Sequence, residues 1–539
     1  MPTVNLNKKE FEKLVGKKLS LDRLKDRISM LGTDLEDIKG NEIVVEVFPD
    51  RPDMLSEQGF ARAFSSFIGV KKGLREYKSK KSNYKLIVDS SVKSVRPYTS
   101  CAVVKSLKFN EELIKQIIQI QEKLHISYGR NRKKCAIGVY PLEKIKFPIH
   151  YKALEPKKIK FKPLDSKKEM NGLQILSSHP TGQEYGHLLE GKKKFPIFVD
   201  ANGKILSMPP IINSEDMGKI SSKTKEVFIE VSGFDYDVVS KCLNIIVCAL
   251  ADMKGVIYEI ELKDGRKIIS PNLKSSSMKI DIKYVNKILG LNLKENDIKK
   301  YLEKMGLGYK NKNVLIPCYR NDIMHQVDLI EDIAIAYGYE NFKEEIPNLS
   351  TLGSEDEFEK FKRKVKEIII GFGYLECSSY NLISEKVLNK MEVKLNDVKV
   401  LNPVNVEYDT LRSWMIPSLM KILSENKHYE YPQKIFEVGT VFGKEEFERV
   451  GLLSCHGNTN FTEVKQILDY LFSSLNLEYK LEDDNHGSFI KGRVGRVTCK
   501  GKKVGYIGEI SPSVLDKFNL DVPIASFEVN LSELYKLII

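Results

Sequence analysis

Four carboxylates, Asp322, Asp328, Glu331 and Asp332, crowd one short stretch of the chain, R-N-D-I-M-H-Q-V-D-L-I-E-D-I-A-I-A-Y-G-Y-E-N-F from Arg320 to Phe342. From Val327 to Tyr337 the positions Val327, Ile330, Ile333, Ala334 and Tyr337 make one apolar helical stripe. Asp328, Glu331 and Asp332 then fall at i, i+3 and i+4, where side chains meet on one face, and Asp322 lies on a turn just before the helix. An all-oxygen cluster of this kind suits a hard cation, first of all Mg2+ with retained waters. The same residues have a second reading. Asp328-Leu329-Ile330-Glu331 has the form of a capping box, and acids early in a helix favour the positive end of its dipole.

Two further strings could shape a small-molecule site. H-P-T-G-Q-E-Y-G-H-L-L spans 179–189, and M-P-P-I-I-N-S-E-D-M-G spans 208–218. His179 and His187 have no third partner at a zinc-ligand spacing. Pro209-Pro210 followed by Ile211, Ile212, Asn213 and Ser214 suits a rigid apolar wall with a polar lip. Asp50, Arg51 and Asp53 in F-P-D-R-P-D-M-L-S read as a charged turn docking the next helix, with Ser56 as its cap, rather than as a catalytic trio. Basic residues cluster at Arg130 to Lys134, at Lys157 to Lys162 and at Lys192 to Lys194. They could track a phosphate backbone or simply solvate loops. No phosphate-binding G-x-x-x-x-G-K-[ST] loop, dinucleotide G-x-G-x-x-G or G-x-S-x-G elbow is present.

The elements that must position these groups imply several domains, because 539 residues exceed what one core can bury. The expected fold class is multidomain α+β. Residues 1–95 read as a mixed α/β domain: a strand at Thr3 to Leu6, helices at Lys9 to Leu14 and Leu21 to Leu31, and a strand at Glu42 to Val47. The polar stretch Leu74 to Lys85 reads as a linker or exposed hairpin. Residues 96–270 form a second domain, with a helix at Asn110 to His125. Residues 271–348 form a small winged-helix-like domain ending in the acidic helix, with helices at Ile282 to Leu289 and Glu295 to Lys304. Residues 349–539 form the last domain, with a helix from Phe358 to Gly371 and strands at Glu376 to Leu382 and Ile435 to Phe442.

The net charge of +13 favours an anionic partner, with nucleic acid first, although lysine-rich solubilisation explains it equally well. The N-terminus lacks a signal-peptide pattern, and the apolar run at Ile245 to Ala251 is too short to span a bilayer, so a cytoplasmic protein without membrane contact is expected. Eight scattered cysteines show no C-x-x-C spacing, and no disulfides are expected.

Taken together, P-D-R-P-D, H-P-T-G, P-P-I-I-N and the acidic helix resemble, in order and over essentially the whole chain, the beta subunits of phenylalanyl-tRNA synthetase of the short archaeal and eukaryotic kind. The resemblance implies an editing domain, a winged-helix-like domain and a non-catalytic class II synthetase-like antiparallel core. It implies an alpha partner in an (alpha-beta)2 heterotetramer, tRNA(Phe) as ligand, ATP as substrate of the complex, and ligation of phenylalanine to that tRNA. It also implies Mg2+ on Asp322, Asp328, Glu331 and Asp332, and an editing pocket for mischarged Tyr-tRNA(Phe) around Leu206, Pro209, Ser214, Glu230 and Ser232. Where the family shows something like D-V-T-G-T-D, this chain has Glu230, Ser232 and Phe234, a longer acid and an aromatic that reshape the pocket. No catalytic residue for adenylation is expected here. Ile435 stands two positions before Glu437, where class II enzymes carry an ATP-binding arginine, and Arg412 and Trp414 read as packing or interface residues. The alternative is a free-standing RNA-binding or aminoacyl-tRNA deacylating protein that needs no alpha partner.

Overall fold

The computed structural model describes residues 2–107, 110–221, 223–348, 351–394 and 397–539. The chain divides into two compact units, Met1–Glu345 and Ile346–Ile539.

The first unit opens with a three-stranded antiparallel sheet in which Glu42–Glu46 lies between Thr3–Asn7 and Asp34–Lys39. Period-two alternation puts Val4, Leu6, Ile43 and Val45 on its buried face. Helices Lys8–Val15 and Glu57–Phe67 close over that face, and Phe11, Phe60 and Phe64 stack with centroids 5.4–6.4 Å apart. Ser56 caps the second helix by accepting from Gly59 N at 3.0 Å.

The middle of the unit is a layered body. A five-stranded sheet contains Tyr98–Lys105, Cys135–Pro141 and Val227–Gly233. Ala102, Val104, Ile229 and Val231 point to one core with helices Glu111–Ile126 and Tyr236–Asp252. Their neighbours Cys101, Val103 and Phe228 point to a second core shared with a seven-stranded sheet. These strands are buried on both faces, so they carry no polar-apolar alternation. The stretch read as a linker takes part in both sheets. Ser79–Lys80 pairs in parallel with Ile257 and Tyr258, and Lys85–Val88 lies between Ile149–Leu154 and Ile260–Asp264. Its lysines are exposed, Lys80 and Lys85 on short strands and Lys78 and Lys81 beside them, which is why composition alone suggested a loop.

The unit ends in helices Ile282–Leu289, Glu295–Lys304 and Gln326–Tyr337 with a small sheet of Ser276–Lys279, Asn313–Ile316 and Gly308–Lys310. The apolar run Ile245 to Ala251 is inside helix Tyr236–Asp252 and largely buried. Among the described residues no helix is long and apolar enough to cross a membrane.

The second unit is built on a seven-stranded sheet with Gln433–Phe442, Glu446–Cys455, Ile524–Asn530, Lys502–Ile510, Phe489–Cys499 and Tyr479–Asp483 adjacent in that order and antiparallel. Helices Glu357–Ile370, Phe461–Ser474 and Leu531–Ile538 fill one core, and Ile416–Glu425 and Pro512–Phe518 fill the other. The strand expected at Glu376 to Leu382 shrinks to two short pieces, Leu375–Glu376 and Leu382–Ile383. Between them Ser379 turns inward and gives its N–H and hydroxyl to Glu437 at 3.2 and 2.7 Å instead of to a strand neighbour. Arg412 completes that centre: its Nη1 donates to Glu437 Oε1 at 2.6 Å and its Nε to Thr440 O at 2.8 Å. Ile435 is buried in the adjoining core.

Removing Arg412 leaves the Glu437 carboxylate buried without its counter-charge, at a typical cost of roughly 3–5 kcal/mol. Arg412→Met is therefore expected to lower the urea midpoint of the second unit sharply. The single tryptophan, Trp414, reports that transition by fluorescence.

Candidate functional site

The acidic helix forms as read, over Gln326–Tyr337, but its acids are not gathered into one cluster. His325 is the cap, accepting from Val327 N at 3.3 Å. Asp328 Oδ2 reaches back to accept from Met324 N and His325 N, both at 2.7 Å. The capping box is thus His325 with Asp328, three residues earlier than Asp328 with Glu331. Glu331 is exposed and takes the Tyr339 hydroxyl at 2.8 Å. Asp332 is buried on the opposite side of the turn, where Arg320 Nη2 donates to Asp332 Oδ2 at 2.8 Å and to Asp322 Oδ2 at 2.6 Å. Arg320 Nε donates to Asp322 Oδ1 at 2.8 Å.

Burial works against the Asp322 carboxylate, yet the Arg320 charge and hydrogen bonds hold its pKa below the ordinary value. At Asp332 burial prevails over Arg320 and raises the pKa. The P-D-R-P-D turn enters the same electrostatic group. Arg51 Nε and Nη2 pair with buried Asp53 at 2.9 and 3.0 Å, and the Arg51 charge is felt by Arg320, Asp322 and Asp332. Among the described residues the one set of three acids with converging oxygens is Asp34, Glu36 and Glu46, far along the chain from this helix.

A second constellation lies between the two sheets of the middle body. A cavity of about 150 Å³, the size that accommodates one aromatic ring, is lined by Ala136, Ile137, Pro209, Pro210, Ile211 and Ile212. Its polar lining includes Glu230, Ser207, Asn213, His125, Arg132 and His179, and exposed Asp165 stands at its edge. Glu230 sits on strand Val227–Gly233 opposite Gly138. A Cβ at position 138 would stand 2.1 Å from the Tyr140 hydroxyl and 2.6 Å from Glu230 Oε1, so the glycine makes room for both. The Tyr140 hydroxyl donates to Glu230 Oε1 at 3.0 Å and also lies 3.2 Å from Asn213 Oδ1. Glu230 Oε2 and Ser207 Oγ are buried without a well-formed hydrogen bond.

Burial pushes the Glu230 carboxyl up to about 8, against the pull of Tyr140 and Arg96. At neutral pH it is mainly a protonated acid, able to donate as well as accept. His125 is neutral too. Its Nε2 accepts from Ile137 N at 2.8 Å, which leaves the proton on Nδ1 facing Glu122, and burial lowers its pKa.

Of the expected pocket residues, Pro209 and Glu230 line this cavity. Leu206, one strand position from Ser207, points into the core. Ser214 leads into the turn Glu215–Gly218 and gives its N–H to Leu206 O at 2.8 Å. Ser232 Oγ accepts from buried Arg96 Nε at 3.1 Å. Ser207, Tyr140 and His125 were not singled out from sequence; strand alternation about Leu206 would have pointed to Ser207. The basic run borders the pocket. Arg130, Asn131 and Arg132 are consecutive left-handed residues (φ 48°, 52°, 64°). Arg132 stacks 4.2 Å over Tyr185 and donates to Ile211 O at 2.9 Å. Arg130, Lys133, His187 and exposed Phe234 line a neighbouring cavity of about 510 Å³ with buried Arg96.

Three family profiles match the chain: the B3/4 domain over residues 83–244, the tRNA synthetase B5 domain over 278–339, and the phenylalanyl tRNA synthetase beta chain CLM domain over 343–531. The ring-sized pocket falls in the first and the acidic helix in the second. The chain is 39% identical over 557 aligned residues to the phenylalanine--tRNA ligase beta subunit of Thermococcus sibiricus, covering 99% of each. It is 39% identical to that of Pyrococcus abyssi, covering 99% of this chain and 100% of the relative. A crystal structure of an N-terminal fragment of the phenylalanyl-tRNA synthetase beta subunit from Pyrococcus horikoshii superposes with a TM-score of 0.60 at 38% identity, covering 62% of this chain and 99% of the fragment. With the family's profiles in the same order along the chain and relatives matched end to end, the chain belongs to the beta subunits of phenylalanine--tRNA ligase.

Proposed function

We propose that this chain serves a cytoplasmic (alpha-beta)2 phenylalanine--tRNA ligase as scaffold and editing subunit, removing tyrosine mis-attached to tRNA(Phe), while adenylation belongs to the alpha partner. The observation that carries the editing reading is the protonated, half-satisfied Glu230 in a pocket sized for one ring. A tyrosine side chain presents a ring for the Pro209–Ile212 wall and a hydroxyl for the Glu230 carboxyl, which lines the same cavity. A phenylalanine side chain leaves that acid unanswered, and a buried polar group without a partner is the strongest basis for rejecting an analogue. The free-standing reading is not the one the full-length relatives favour. The alpha contact is proposed on the exposed apolar stretch of the second unit, where Leu401, Val404 and Val406 are 93%, 107% and 74% accessible. The tRNA contact is proposed at Arg130 and Lys133, beside the pocket.

The Mg2+ reading of Asp322, Asp328, Glu331 and Asp332 is kept in a narrower form. Arg320 occupies Asp322 and Asp332, so those two do not fit an ion unless the guanidinium withdraws. Asp328 and Glu331 each retain an oxygen toward solvent, and a hydrated Mg2+ takes only one or two carboxylates. When bound there, the ion would supply charge to the helix edge.

Two measurements test these readings. In the co-purified alpha-beta complex, Glu230→Leu is expected to slow deacylation of Tyr-tRNA(Phe) by about a hundredfold or more while phenylalanine charging is unchanged. Equal deacylation by both proteins would remove Glu230 from the mechanism. The titration of Glu230 also makes stability depend on pH. The folded pKa of Glu230, about 8, exceeds its ordinary 4.5, so its contribution is fully present below 4.5 and is lost as pH rises through about 8. Thermal unfolding of wild type minus Glu230→Gln should fall across that window.

For the acidic helix, Mg2+ titration should raise the unfolding temperature of wild type but not of Asp328→Asn/Glu331→Gln. Loss of the Mg2+ response in Asp322→Asn would instead restore the four-acid site. Arg320→Met is expected to destabilise the first unit by roughly 3–5 kcal/mol with or without Mg2+.

A further inference from the structure

The second unit holds a cavity that the editing and scaffold roles leave unused. It lies on the face of the antiparallel sheet that also bears helix Ile416–Glu425, and its volume is about 350 Å³, within the ~300–1,000 Å³ of small-molecule sites. Strand register builds one wall. Gly451 opposes Glu528, Glu528 opposes Tyr506, and Tyr506 opposes Arg496, so these positions share a face, with Arg449 two residues before Gly451. Ser413, Trp414 and His486 come in from loops.

Three features give the cavity a chemistry. First, Glu528 is already answered: its Oε2 accepts from Met415 N and Ile416 N at 2.8 and 3.1 Å, and its Oε1 accepts from Arg449 Nη1 at 2.9 Å. It therefore does not ask for a cation. Second, Arg449 spends only Nη1 on Glu528, and an anion is the complement to the rest of its guanidinium, which donates and never accepts. Lys503 lines the same space, while the Arg496 charge is taken up by Asp484 at 3.1 Å. Third, the remaining wall is aromatic. Trp414 and Tyr506 stand 5.3 and 4.7 Å from the His486 ring, and Arg496 stacks 3.4 Å over Tyr506. His486 is neutral, its pKa pulled down to about 4 by burial and by Arg496, so it offers a π face rather than a charge.

We infer that this cavity is a binding site for a small ligand that carries an anionic group on a flat ring, the anion meeting the Arg449 guanidinium and Lys503 and the ring meeting Trp414, His486 and Tyr506. A nucleoside monophosphate and an aromatic carboxylate share that chemistry, and the test separates them.

Trp414 is the chain's single tryptophan, so its fluorescence in the full chain reads this wall directly. AMP, 3-phenylpropionate, inorganic phosphate and benzyl alcohol are titrated separately. The expected result is a saturable change with Kd below about 1 mM for AMP or for phenylpropionate, at least about tenfold tighter than for phosphate or benzyl alcohol. Whichever of the two binds names the source. Arg449→Gln should weaken it about tenfold or more. Because that change also unpairs Glu528, Ser413→Phe and Lys503→Ala provide a second arm: the first fills the cavity and the second removes its cation, neither exposing a buried charge. Both must weaken binding with circular dichroism unchanged. No saturable change with any probe, phosphate binding as tightly as AMP (an adventitious anion only), or binding indifferent to Ser413→Phe would each overturn the proposal.

Discussion

A guanidinium taken out of water costs several kcal/mol unless acceptors surround it, and the first unit buries Arg51, Arg62, Arg96 and Arg320. Arg51 is answered locally by Asp53, whereas Arg62, Arg96 and Arg320 reach acceptors farther along the chain and act as joints. Arg62 leaves helix Glu57–Phe67 to pair with Asp252 at 2.7 Å and lies 3.8 Å over the Tyr319 ring, drawing three segments together. Arg96 donates to Ser232 O at 2.7 Å and to Arg132 O at 3.4 Å. It thereby fixes the strand that carries Glu230 and the left-handed loop that carries Arg132, two walls of the ring-sized pocket. Arg320 ties the turn at Asp322 to the helix at Asp332, with the Arg51–Asp53 pair beside it. One continuous apolar cluster from Val4 to Ala336 excludes the water that would otherwise dissolve these pairs.

The same low-dielectric interior sets two carboxyls on opposite courses. Asp322 has a guanidinium on both oxygens and stays ionised. Glu230 has the Tyr140 hydroxyl on one oxygen and the Ser207 hydroxyl beside it, and burial protonates it. An ionised acid locked to its partner builds structure; a protonated one lining a cavity can discriminate among ligands. A buried carboxyl can serve either end, and the surroundings, not the residue type, decide which.

How much of this was legible in the sequence depended on whether a feature is local. The helices Ile282–Leu289 and Glu295–Lys304 follow from 3.6-residue periodicity, and strand Gln433–Phe442 from its β-branched run. The acids of helix Gln326–Tyr337 were visible as a group, but their partners were not: Arg320 precedes the helix, and its choice of Asp332 over solvent is a tertiary event. Strands buried on both faces, such as Tyr98–Lys105, carry no alternation to read. The pocket suffered most. Leu206 and Ser207 are neighbours in sequence on opposite faces of one strand, so a motif locates the strand without saying which of the two meets the ligand.

In the second unit three arginines on the seven-stranded sheet and one beside it are each matched by an acid of the same unit: Arg449 by Glu528, Arg493 by Glu509, Arg496 by Asp484, and Arg412 by Glu437. Ile435, two positions before Glu437, packs into the core. Charge already neutralised by a neighbouring carboxylate is not free to meet charge on a ligand. What remains beside the pairs is the rest of the Arg449 guanidinium, Lys503 and an aromatic wall. That is the complement of a single anion beside a ring.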